Sequence, residues 1–73
     1  GPSQQKILAA MMEKPGRVFG MEELAELLWP LAHSYYGNMS HSIRSLVHNL
    51  RKRIGYSVIR TVPGIGYELV PKN

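Results

Sequence analysis

Three helices followed by a β-hairpin, an α+β arrangement, is the fold class that three features of the sequence predict. Apolar residues recur at helical spacing in three separate stretches, and the last of these has an entirely polar opposite side. Pro15-Gly16, Pro30 and Gly55 stand at the ends of those stretches, where helices stop. Two short strand-like segments near the C-terminus flank Pro63-Gly64-Ile65-Gly66, which has the chemistry of a tight turn. The chain of 73 residues has room for one core, so residues 1–73 are expected to form a single domain, with Gly1 and Pro2 read as the scar of a removed tag.

Between Gln4 and Lys14, Ile7, Leu8, Met11 and Met12 form the first helical stripe, with Ser3 as the expected N-cap. Arg17-Val18-Phe19 is long enough only for a bridging strand. Met21 to Trp29 is the second helix, with Leu24, Leu27 and Leu28 on one stripe and Glu22 and Glu23 in the first turn, where the helix dipole favours negative charge. Leu31 to Met39 has no clear period and reads as a loop. The third helix is expected from about Ser40 to Ile54, capped by Asn38 or Ser40 and ended by Gly55. Val58 to Val62 and Tyr67 to Val70 then form the two strands of the hairpin.

Composition removes several classes of chemistry. The chain has no cysteine and no aspartate, which excludes disulfides, thiolate catalysis, Cys-based zinc sites and Asp-rich calcium loops. No apolar run reaches the length of a membrane span, so the expected compartment is cytoplasmic. The net charge of +4 points to an anionic partner, and its distribution sharpens the point. Up to Glu26, Lys6, Lys14 and Arg17 face four glutamates; from Leu27 to Tyr67 there is no acid, while Arg44, Arg51, Lys52, Arg53 and Arg60 are all basic. Such a stretch is either a phosphate-binding face or a solvated basic surface.

The third helix favours the first alternative. At 100° per residue, Ile43, Leu46, Val47, Leu50 and Ile54 share one side, and His41, Ser45, His48, Asn49 and Lys52 share the other. Arg44 and Arg51 flank this polar front on one side, Ser42 and Arg53 on the other. An apolar back holds such a helix on its domain, while asparagine suits adenine and lysine suits guanine in a major groove. The five front residues are therefore candidate base contacts, and Ser42, Arg44, Arg51, Arg53 and Arg60 candidate phosphate contacts. His41 and His48 stand seven apart, too far along a helix for a shared metal or proton relay, so neither metal, cofactor nor catalysis is expected. The element order is that of a winged helix-turn-helix, whose third helix enters the major groove while the hairpin wing lies over the DNA backbone.

Pro15-Gly16-Arg17-Val18-Phe19, Glu22-Glu23-Leu24, Leu28-Trp29, Leu50-Arg51-Lys52-Arg53-Ile54-Gly55 and Ile59 to Tyr67 together resemble the DNA-binding effector domain of OmpR/PhoB-type bacterial response regulators. The resemblance covers nearly the whole chain, and its most specific piece is the wing element Thr61-Val62-Pro63-Gly64-Ile65-Gly66-Tyr67. It implies sequence-specific binding of double-stranded DNA in transcription regulation at the bacterial nucleoid, as a dimer or tandem pair on direct repeats. It places base readers at Ser45, His48 and Asn49 and a phosphate contact at Arg51. It also implies an RNA polymerase contact through the loop holding His33, Tyr35 and Tyr36; the alternative is that the tyrosines pack the loop onto its own domain.

The sequence departs from the family at three places. Arg44 stands where an acid is common, Pro63 stands where the wing usually has an arginine, and the family's small sheet ahead of the first helix has no counterpart. Arg60 is then the nearest substitute for the wing cation. Two rival functions stay open: a protein-interaction winged helix docking a partner such as polymerase, and a nonspecific DNA-binding accessory domain. If five phosphates are contacted, affinity should fall about 10²- to 10³-fold between ~50 and ~200 mM salt.

Overall fold

The computed structural model describes residues 1–30 and 37–71. The described residues form helix α1 (Pro2–Glu13), strand β1 (Val18–Gly20), helices α2 (Met21–Leu28) and α3 (Gly37–Ile54), and strands β2 (Ile59–Val62) and β3 (Gly66–Leu69). The strands form one antiparallel sheet in the order β1-β3-β2, with Phe19 opposite Tyr67 and Arg60 opposite Glu68. The segment between the first two helices therefore bridges to the hairpin. No strand precedes α1 among the described residues.

The core lies between the helices and the sheet. Ile7 and Met11 come from α1, Leu24, Ala25 and Leu28 from α2, Ile43, Val47 and Leu50 from α3, and Phe19, Ile59, Tyr67 and Leu69 from the sheet. Two expected core residues are outside it. Met12 is 61% exposed and Leu27 is 37% exposed. Each is one position from a buried residue, Met11 or Leu28, and the rotation of about 100° per residue carries it out of the contact. In α2, Ala25 takes the inward place instead.

Helix starts also differ from expectation. Ser3 is not the cap of α1: Gly1 holds that position without a side-chain bond, and Pro2 opens the helix. Proline is suited to that first position because its φ is preset and no N–H is needed there. Helix α3 begins at Gly37, so Asn38 and Ser40 lie within its first turn rather than capping it. Met39 packs against the core and draws that turn into the helix, which outweighs the weak propensity of the residues around it. His33, Tyr35 and Tyr36 lie outside the described residues.

The wing turn is built from its own residues. The Ile65 N–H donates to the Val62 carbonyl at 3.0 Å, and Gly64 has φ 77°. Proline second and a left-handed glycine third is the arrangement of a type II turn. The turn is tied to the helices because the Met21 N–H donates to the Ile65 carbonyl at 3.2 Å. At Gly66 the two backbones meet so closely that a Cβ would fall 1.9 Å from the Phe19 carbonyl oxygen. Only glycine allows β1 and β3 to approach this far.

Candidate nucleic-acid interface

Burial of Ile43, Val47 and Leu50 fixes the rotation of α3 about its axis. That rotation leaves His41, Ser45, His48, Asn49 and Lys52 all exposed along the opposite side. His41, Arg44, Ser45, His48 and Asn49 line a shallow hollow on this surface. An exposed row of amide, hydroxyl, imidazole and ammonium groups on a rigid helix offers donors and acceptors to base edges. The residues expected to form a free front therefore do so, and no described segment of the domain lies over them.

The flanking cations divide into two groups. Arg51 is half-buried, and its Nε and Nη2 donate to the Ile59 carbonyl at 3.0 and 2.8 Å, with Nη2 also donating to Thr61 Oγ1 at 2.8 Å. Its guanidinium carbon lies 5.6 Å from the centre of the Tyr67 ring. The side chain thus ties α3 to the wing strand. Arg53 turns toward α1 and donates to Gln4 Oε1 at 3.0 Å. Arg60 is ion-paired across the hairpin with Glu68, whose carboxylate is nearly buried in the central strand. In contrast, Arg44 and Lys52 are exposed and have no hydrogen bond or ion pair among the described residues. Arg44 stands on the wing side of the front, where it lines a hollow together with Met21, Thr61, Gly64 and Ile65. Ser42 is exposed on the other side of the helix.

In the wing, Pro63, Gly64 and Thr61 are exposed, while Gly66 and Tyr67 are buried and structural. Ile65 projects from the turn at 57% exposure. Tyr56 was not marked by the helical wheel, yet its ring is 61% exposed and lies beside His48. The wheel stops at Gly55; continuing its spacing of four from His48 through Lys52 would have reached Tyr56. Glu68 was also missed as the partner of Arg60, because cross-strand pairing depends on the hairpin register. Among the described residues no three His or Glu side chains converge as metal ligands, and no helix is long and apolar enough to cross a membrane.

Residues 1–69 match the family model described as transcriptional regulatory protein, C terminal. The chain is 37% identical over 73 aligned residues to the phosphate regulon transcriptional regulatory protein PhoB of Rhizobium meliloti, covering 94% of this chain and 31% of that protein. It is 34% identical to the response regulator protein PmrA of Pseudomonas aeruginosa, covering 90% of this chain and 28% of that one. The chain thus spans under a third of the length of these curated relatives. Its fold is similar to the DNA-binding domain of Bacillus subtilis CssR, with a TM-score of 0.81, 21% identity and coverage of 96% of this chain and 76% of that one. It is also similar to the DNA-binding domain of response regulator AdeR, solved in complex with an intercistronic region, with a TM-score of 0.74, 26% identity and coverage of 94% and 70%. This is a family of DNA-binding domains, not of enzymes. The chain belongs to the transcriptional regulatory protein C-terminal family, the OmpR/PhoB-type winged helix DNA-binding domains.

Proposed function

We propose that the domain binds double-stranded DNA sequence-specifically in transcription regulation, with α3 in the major groove and the hairpin wing along the backbone, and that it does so without catalysis. The observation that carries this reading is the α3 front: five exposed polar side chains backed by a buried apolar stripe, in a stretch from Leu27 to Tyr67 without a single acid. Ser45, His48, Asn49, Lys52 and His41 meet base edges. Arg44 and Ser42 meet phosphate on either side, and Arg51 sets the angle between helix and wing while keeping Nη1 for the backbone. Arg53 reaches phosphate with the donors that Gln4 does not hold, and Arg60 only by leaving Glu68. The place of action is the cytoplasm, at the nucleoid, with two copies in tandem on direct repeats.

Selection of bound sequences from a random duplex pool tests the reading. An enriched site, with half-site spacing if two copies bind, is the expected result. Equal binding to selected and random duplex would favour the nonspecific accessory role instead. A second reading, docking to a protein such as RNA polymerase, is favoured by the exposed Glu22, Glu23, Glu26 and Leu27 on the outer side of α2. Partner binding with DNA absent, lost on charge reversal at Glu22, would support it.

A further inference from the structure

The α3 front continues past the end of the helix. Gly55 stops α3 with φ 110°, a backbone conformation that side chains rarely adopt, and its N–H donates to the Arg51 carbonyl at 2.8 Å. The next three residues close a turn, with the Val58 N–H reaching the Gly55 carbonyl at 3.4 Å. This turn sets Tyr56 against the helix side instead of in the core. Its ring centre lies 6.4 Å from that of the His48 imidazole, with the ring planes 60° apart. Tyr67 and Phe19 bury their rings, whereas Tyr56 stays 61% exposed. An aromatic ring left in water gains little for the free domain, and tyrosine combines rigid apolar area with a hydrogen-bonding tip, the properties used at interfaces.

We infer that Tyr56 is a positioning and contacting residue for DNA: its ring holds His48 in the orientation from which the imidazole reads a base edge, and its hydroxyl donates to a backbone phosphate at the C-terminal edge of α3. The inference rests on the DNA-binding reading above. An edge-to-face ring contact restricts imidazole rotation, and a restricted donor discriminates bases better than a freely turning one. No acid occurs from Leu27 to Tyr67, so no carboxylate in that stretch competes with phosphate for the phenol.

The test uses the selected duplex and a panel of its single base-pair variants. Binding is measured for the wild type, His48→Ala, Tyr56→Ala, Tyr56→Phe and the His48→Ala/Tyr56→Ala double variant, with a thermal melt of each. His48→Ala should lower discrimination at one base pair by about 10-fold. Tyr56→Ala should lose most of that same discrimination with an unchanged melt, and the double variant should lose no more. Tyr56→Phe should keep the discrimination and bind every duplex about two- to fivefold more weakly. Full discrimination in Tyr56→Ala would overturn the positioning role, and undiminished affinity in Tyr56→Phe would overturn the phosphate contact. If His48→Ala discriminates as the wild type does, the Tyr56 inference falls while DNA binding stands. If the wild type selects no sequence, the functional reading itself falls.

Discussion

Arg51 and Asn49 are two positions apart on α3 and have separable tasks. Arg51 makes charge-assisted bonds to the Ile59 carbonyl and the Thr61 hydroxyl, joining helix to wing. Such bonds contribute more than neutral ones, so Arg51→Ala should destabilise the domain by about 2 kcal/mol and lower Tm by about 10 °C. Binding to cognate and random duplex should weaken by similar factors, because the displaced wing reads no base. Arg51→Lys should recover little, since a single ammonium cannot reproduce the guanidinium fork. Asn49 is exposed and outside the core. Asn49→Ala should leave the melt unchanged and relax preference at one base pair by about 1 to 3 kcal/mol, as read by competition between single-substitution duplexes. The front residues were legible in the sequence because helical periodicity assigns each a direction. The partners of Arg51, Arg53 and Arg60 were not, since all lie on other elements.

Among the elements, α3 and the sheet depend on each other. The core stripe of α3 orients its front, and β3 in the middle of the sheet holds both the bridging strand and the outer strand of the wing. Gly66 is where this arrangement is least tolerant. A methyl group there would meet the backbone of Phe19, which no side-chain rotation can relieve. Gly66→Ala should cost about 3 kcal/mol in urea unfolding, as overpacking between fixed backbones does. Against the roughly 5 kcal/mol of stability expected of a domain this small, about 2 kcal/mol would remain, so a few per cent of the population would be unfolded and Tm would fall by about 15 °C. Strand and helix existence was readable from apolar spacing and turn residues. The boundaries moved by one to three residues, at Pro2, Gly20 and Gly37, because packing of Met39 and pairing of Gly20 with Gly66 decide where each element ends.

Over the whole molecule, the sequence suggested four cations for phosphate, Arg44, Arg51, Arg53 and Arg60. The structure leaves Arg44 without a partner among the described residues, and Arg51 and Arg53 keep guanidinium donors that take no part in the bonds to the wing and to Gln4. Two or three phosphate contacts give a loss of about 10- to 40-fold in affinity between ~50 and ~200 mM salt, against about 500-fold for five. Titration across that range separates the two. The shallow slope is expected; a steep one would mean that Arg60 releases Glu68 and that Lys52 meets phosphate instead of a base edge. The Arg17–Glu23 pair at 2.6 Å lies on the opposite, acidic end of the sequence and should not affect the slope.

The sequence by itself determined the order of elements, the inward and outward sides of α3, and the wing turn, because periodicity and turn chemistry are local properties of neighbouring residues. Tertiary structure alone decided which cations are free. The guanidinium groups find a carbonyl, a hydroxyl, an amide and a carboxylate on other elements only after the strands pair and the helices pack. Docking of the hairpin on α3 turned Arg51 into a brace, strand register paired Arg60 with Glu68, and the turn at Gly55 set Tyr56 beside His48.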